Sequence, residues 1–326
     1  MAALLPFLAP ELLGDPEREV EKGVKGRVGQ ALGMLLILST IVFLLARVTG
    51  SPADVLIPAD ASRQAVEDLE QRLGLDQPLP VQYVRFLGSV VTGDMGVSLR
   101  SQRPVVDVVI ERLPATIQLS AAGLAMIVVG IPLGVLAALR RGTWLDVLIR
   151  AFAAAGQAAP HFWVGTMLAL LFGVRMGILP VAGRGETWLA VLMPAIALCL
   201  YPLAGVFRVT RNSLLRVLDD EFVLVARAKG LPEWYVIVRH ALRNSLIPVA
   251  SLSSVLVLVY FMTGSVVIEK VFAWPGIGYL AYQSVVSRDY PVLQGVVLFY
   301  GLLFVVGSFV VDGVMRLLDP RLRERS

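Results

Sequence analysis

The sequence predicts an all-α membrane protein with six transmembrane helices, a small external helical domain between the first two, and a cytoplasmic elbow between the fourth and fifth. Three observations carry this prediction: the composition, six long charge-free stretches, and the uneven placement of Lys and Arg. Of 326 residues, 56% are hydrophobic and 17% charged, and the mean hydropathy is strongly positive. A soluble globule carries roughly 45–50% apolar and about 25% charged residues, so this chain lacks the polar material to cover a water-facing surface. A soluble enzyme and a disordered tail protein are both excluded. The single Cys199 cannot build a disulfide framework, and two histidines without cysteine neighbours leave nothing for a zinc site. A net charge of +4 is too small for a nucleic-acid footprint unless gathered on one face.

A spanning helix needs about 20 apolar residues with few charges. Six stretches free of Asp, Glu, Lys and Arg meet that length: residues 28–46, 116–139, 151–174, 187–207, 244–268 and 290–311. A single one of these could be a buried core helix; six in one chain read as a polytopic protein. Met1 to Pro10 is apolar but too short to span and lacks the basic flank of a signal peptide. It reads as a peripheral tail, and residues 1–27 as a cytoplasmic N-terminal segment ahead of the first helix at 28–48. With the N-terminus inside, 18 Lys and Arg fall on the cytoplasmic side against 5 outside, once the long segment 49–112 is set aside. The positive-inside rule therefore puts both termini in the cytoplasm.

Segment 49–112 carries nine acids and six bases and is expected to form the external domain. An amphipathic helix is predicted over 60–73, with Val66, Leu69 and Leu73 on one face and Gly74 as its stop. A second, from Pro80, groups Val84, Leu87 and Val91. The remainder, 113–326, is the five-helix core.

Within that core, residues 208–243 are too long for a simple connector. Leu214, Leu215, Leu218, Phe222, Val225 and Ala226 recur at three-and-four spacing, which predicts one amphipathic helix. Gly230 sits where a chain leaves a helix through the left-handed region. Pro232 suits the first turn of the next helix, where its missing N–H is harmless. That helix is expected to place Trp234, Ile237, Val238 and Ala241 on one side. The result is a helix–glycine–helix elbow with Ala226, Arg227, Ala228, Lys229, Gly230 and Leu231 at its tip. Small residues there admit close approach of another protein. A purely topogenic basic loop is the plainer alternative.

The stretch from Glu221 to Leu231 (EFVLVARAKGL), followed by RHALRNSLIP from Arg239 to Pro248, closely resembles the coupling loop of ATP-binding-cassette importer permeases. Within that superfamily the chain is similar to the first permease of the dipeptide, oligopeptide and nickel group. Further matching stretches are GDMGVS from Gly93, ERLPAT from Glu111, IPLGV from Ile131, FAWPGIG from Phe272 and LDPR from Leu318. The family's general pattern has a proline where this chain has Arg243, and the first thirty residues have no counterpart.

The resemblance implies a second homologous permease subunit, two cytoplasmic ATP-binding-cassette ATPases and an external solute-binding protein as partners, with peptide as cargo. It implies that Glu221, Ala226, Arg227, Ala228, Lys229, Gly230, Leu231 and His240 couple the chain to the ATPase, with His240 orienting the elbow. Trp274, Pro275, Gly276 and Gly278 would form an external gate or loop. Nickel, glutathione or haem-like cargo are alternatives within the class.

The residues themselves agree on energy supply. The chain has no Gly-x4-Gly-Lys-Ser/Thr phosphate loop, and none of the six stretches contains an acidic residue at mid-membrane, as a proton- or sodium-driven carrier would. Asp312, past the sixth stretch, reads as a structural helix-end residue. No cofactor or metal is expected. A competing reading takes residues 272–280, ending Gly-x-Gly-Tyr, as the pore loop of a cation channel. The loop lacks a Thr-Val lead, Trp274 and Pro275 suit a packed turn, and a channel has no use for the elbow. Polar residues within the stretches, among them Thr116, Gln118, Ser120, Ser251 and Ser253, read as helix-packing groups.

Overall fold

A computed structural model describes residues 24–48, 64, 68, 71, 74–185 and 187–318. The N-terminal segment before residue 24, nearly all of the helix predicted over 60–73, and all but the first residue of the LDPR motif lie outside the described residues. Among those described, the fold is helical, with one isolated bridge between Val97 and Pro104. In order, the helices are α1 (Val24–Val48), α2 (Leu79–Thr92), α3 (Val105–Val128), α4 (Gly130–Leu139), α5 (Trp144–Ala158), α6 (His161–Leu168), α7 (Leu192–Leu218), α8 (Glu221–Ala228), α9 (Arg243–Val271), α10 (Ile277–Val286) and α11 (Tyr290–Leu318).

Four helical runs among the described residues are long and apolar enough to cross a membrane. They are α1, the α3–α4 run of 35 residues, the run of 31 residues from Trp188 through α7, and α11. The stretch 151–174 is expected to be one spanning helix. Instead α5 and α6 meet at a bend of 106°. Pro160 has no N–H for a continuing helix and forces Ala159 out of the helical region, to ψ 129°. Counted as one broken span, the pair raises the number to five. The stretch 244–268 lies within the 29 residues of α9.

Helix α7 is the hub, packing against α3, α4, α5, α6 and α9. Close approach is set by missing side chains. A Cβ on Gly134 would sit 2.7 Å from Thr210 Cβ and 2.8 Å from the Phe207 carbonyl oxygen, and one on Gly130 would sit 2.8 Å from the Leu203 carbonyl oxygen. These glycines, four apart on one face, let α4 lie backbone-to-backbone on α7. Cys199 is buried in the same region as a small packing residue, 3.7 Å from the Met126 sulfur.

Helix α1 runs beside α11, and Arg27 near the start of one pairs with Asp312 near the end of the other at 2.7 Å. The helix-end role expected for Asp312 is therefore filled by an ion pair. On α2 the expected face is inverted. Val84 and Val91 are exposed, whereas Tyr83 and Phe86 pack on Phe43 of α1. Gln82 is buried, accepting from Arg47 and donating to the Leu75 and Gln77 carbonyls. Aromatic area and a satisfied amide outcompete Val84 and Val91, while Leu87 stays half-buried. Helix α3 begins at Val105, so the last part of the predicted external domain is continuous with the second apolar run.

Candidate functional site

The elbow is built from the end of α7 outward. One continuous helix was expected from Leu214 to Ala226. The chain instead breaks at Asp219 and Asp220, with Asp220 extended at φ −74° and ψ 148° ahead of α8. Short acidic side chains favour such helix-start conformations over helix interiors. The break rotates α8, so Val223 and Ala226 turn inward while Phe222 and Val225 turn outward. Glu221, exposed in the first turn of α8, meets the positive end of the helix dipole.

Helix α8 ends in a Schellman turn. Leu231 N–H donates to the Ala226 carbonyl at 3.4 Å and Gly230 N–H to the Arg227 carbonyl at 2.9 Å, with Gly230 at φ +76°. A Cβ built on Gly230 would meet nothing within 4 Å. The chain itself therefore asks this residue only for a left-handed backbone. Pro232, at ψ 141°, precedes a short helical segment, Glu233–Tyr235. A wider π-type turn, Val236–Leu242, then leads into α9.

Inside the elbow, Val223, Ala226, Val236 and Ala241 are buried around Leu214 of α7 and Ala138 of α4, with Leu231 packed against them. Trp234 and Val238, expected on the same side as Ala241, are 67% and 57% exposed. The π-type turn adds a residue to the helical ladder and shifts the register, so Val236 takes the inward position.

The outer face thus presents Phe222, Leu224, Val225, Trp234 and Val238, all exposed. Charged residues rim it. Arg227 forks onto Glu233 with contacts of 2.6 and 3.2 Å, which holds the Glu233 carboxyl below its usual range. Ala228 is exposed beside it, and Lys229 carries the charge at the tip that no ion pair among the described residues neutralises. His240 packs its ring edge-on against Tyr235 at 5.7 Å. Its Nε2 is buried without a hydrogen-bond partner among the described residues.

At the far end of α9 the chain forms a packed corner. Trp274 is fully buried and donates from Nε1 to the Ala115 carbonyl at 2.8 Å. Sequence reasoning missed the residue at its centre. Glu269 directly follows the charge-free stretch 244–268, a position that reads as outside the span. It is instead fully buried. Its carboxylate accepts from Thr116 Oγ1 at 3.0 Å and from Tyr279 N–H at 2.8 Å. Thr116 Oγ1 in turn accepts from Ile277 N–H at 2.8 Å. The hydroxyl, read as a simple packing group, thus bridges α3, α9 and α10. The available signal was weak: one Glu between Ile268 and Val271, with a Thr in another helix to meet it.

Gly276 and Gly278 are buried beside this carboxylate. A Cβ on Gly276 would overlap it, and one on Gly278 would lie 2.7 Å from Val266 Cα. Pro275 is half-buried. The Phe272 carbonyl, which a pore loop would offer to ions, accepts from Gly183 N–H at 2.7 Å. Nearby, buried Asp289 accepts from Ser98 Oγ at 2.6 Å and from the N–H groups of Leu99 and Arg100. This ties the GDMGVS stretch to the same end of the bundle. Gln118 accepts from Arg184, and Ser251 and Ser253 bond to carbonyls of their own helix.

Comparison with known proteins identifies the family. Residues 130–324 match the family described as binding-protein-dependent transport system inner membrane component. Residues 23–120 match the family described as binding-protein-dependent transport system membrane component, N-terminal. A putative peptide transport system permease protein of Brucella abortus (strain 2308) is 38% identical over 306 residues, covering 91% of this chain and 97% of that protein. The glutathione transport system permease protein GsiC of Escherichia coli (strain K12) is 37% identical over 291 residues, covering 89% and 94%. In solved structures, an inward-facing methionine ABC transporter, MetNI, superposes with a TM-score of 0.56 at 18% identity, covering 66% of this chain and 97% of that one. At that identity the likeness concerns fold alone.

Fold and matches together define a multi-pass, membrane-integral transport permease, a transporter rather than a member of an enzyme family. The chain belongs to the family of binding-protein-dependent transport system inner membrane components, the permease subunits of ATP-binding-cassette importers.

Proposed function

We propose that this permease moves di- or oligopeptides delivered by a solute-binding protein, and that the elbow around Gly230 receives the ATPase that drives it. One observation carries the second point. The elbow has a sealed inner face and an outer face of five exposed apolar side chains. Charges from Asp219 to Glu233 rim that outer face, so lipid does not suit it, and an apolar surface of this kind marks a protein contact. Docked there, an ATPase would move α7 and α9 together, since the elbow joins them, and switch the path by rigid-body rearrangement.

The peptide reading is supported by relatives named for peptide and for glutathione transport, glutathione being itself a modified tripeptide. Nickel and haem-like cargo draw no such support. The assembly we infer contains a second permease of the same fold, two ATPases and an external binding protein. Six crossings with both termini cytoplasmic are favoured by the charge count and by the Arg27–Asp312 pair, which brings the start of α1 and the end of α11 to one side. The elbow then faces the cytoplasm, and the corner of Trp274, Pro275, Gly276 and Gly278 faces outward to close the path.

Uptake of radiolabelled dialanine into liposomes bearing the complete assembly tests this reading. ATP-dependent uptake that requires the binding protein is expected. Uptake of nickel but of no peptide would overturn the cargo, and ATP-independent cation flux would restore the channel.

A further inference from the structure

Asp146 lies outside every motif discussed above, yet its side chain is only 1% exposed. It stands in the first turn of α5, after the tight turn from Arg140 to Thr143 that links α4 to α5, where Gly142 adopts φ +77°. Arg211 of α7 grips it with a fork: Nε to Oδ1 at 2.8 Å and a terminal nitrogen to Oδ2 at 2.9 Å. Gly142 N–H donates to Oδ2 at 3.2 Å, and Arg150 stands 3.3 Å from Oδ1. Arg211 sits seven residues before the end of α7, on the arm that leads into the elbow.

We infer that Asp146 and Arg211 form a lock that passes displacement of the elbow to the α4–α5 turn, so that α4, α5 and α7 move as one body. They are positioning residues for transport. Close-packed glycine and alanine faces, such as Gly134 on Thr210 and Ala153 near Phe207, resist separation but permit sliding. A planar guanidinium held by both carboxylate oxygens resists sliding and rotation as well. The backbone bond from Gly142 extends that grip to the turn itself. Ala138, at the end of α4, already belongs to the elbow's buried cluster, so the lock closes a ring of contacts around the moving arm.

The inference rests on the reading that an ATPase drives the elbow, and the test separates the two. Removing one partner of a buried pair strands a charge and can prevent folding. Arg211→Lys keeps the charge beside Asp146 and loses the fork, and Asp146→Asn keeps the side chain's shape while removing the carboxylate that holds Arg211. In liposomes bearing the full assembly, binding-protein-stimulated ATP hydrolysis and dialanine uptake are measured per permease present. For both variants we expect hydrolysis near the parental rate and uptake per ATP lowered at least roughly fivefold. A structural staple would instead lower the amount of permease and leave uptake per ATP unchanged. That constant ratio, in whichever variant accumulates, overturns the lock while leaving the elbow in place. A Gly230→Trp assembly that still transports would overturn the elbow itself.

Discussion

Gly230→Trp is expected to leave the chain folded and inserted in the membrane while abolishing ATP-driven uptake. A left-handed backbone costs an L-residue about 1–2 kcal/mol, which a fold of this size absorbs locally. The new side chain finds no neighbour within 4 Å of its Cβ position in this chain, so the bundle does not resist it. The surface it would occupy is the one proposed to enter the ATPase. A misfit there of about 3 kcal/mol weakens docking roughly a hundredfold. The comparison that isolates bulk from backbone strain is Gly230→Asn, since Asn tolerates the left-handed region. The Asn variant is expected to keep most of its uptake and the Trp variant to lose nearly all of it, at equal membrane levels measured by quantitative immunoblot.

Gly278→Ala is expected to damage the fold itself. Its Cβ would lie 2.7 Å from Val266 Cα and 3.0 Å from Val266 N, both main-chain atoms of α9 with no rotamer to yield. Opening the α9–α10 contact would also pull Tyr279 N–H from the buried Glu269 carboxylate, which accepts it at 2.8 Å. Overpacking of this kind costs typically 1–3 kcal/mol, and leaving a buried carboxylate short of a donor adds to it. The variant should lose heat resistance in detergent, seen as an earlier loss of monodisperse protein on a size-exclusion column after heating. An unchanged heating profile would mean that the corner is looser than its contacts indicate.

The two positions differ in how far the sequence disclosed them. At Gly230 the turn was legible, because a glycine followed two residues later by proline is a local signal that needs no partner element. The register around it was not. Two adjacent aspartates end α7 early, and a π-type turn before α9 shifts the face by one residue. Hydrophobic spacing alone therefore assigned Phe222, Val225, Trp234 and Val238 to the wrong side. Long apolar stretches announced the membrane class plainly. They did not announce the 106° bend, because a search for charge-free residues passes over Pro160, which breaks the helix at Ala159. Glu269 and Asp146 were invisible for a common reason. Each is a single acid whose meaning lies in a partner from a distant helix, Thr116 in one case and Arg211 in the other. Tertiary contact, not local pattern, gives them their roles.

The central claim is that this permease takes its energy from separate ATPases through the elbow. Co-purification of the tagged chain from its native membrane in mild detergent, with stoichiometric partners identified by mass spectrometry, tests it most directly. The account predicts recovery with a second homologous permease and two ATPases carrying phosphate loops, and loss of the ATPases alone from a Gly230→Trp preparation. Recovery as a homo-oligomer with no ATPase would contradict it.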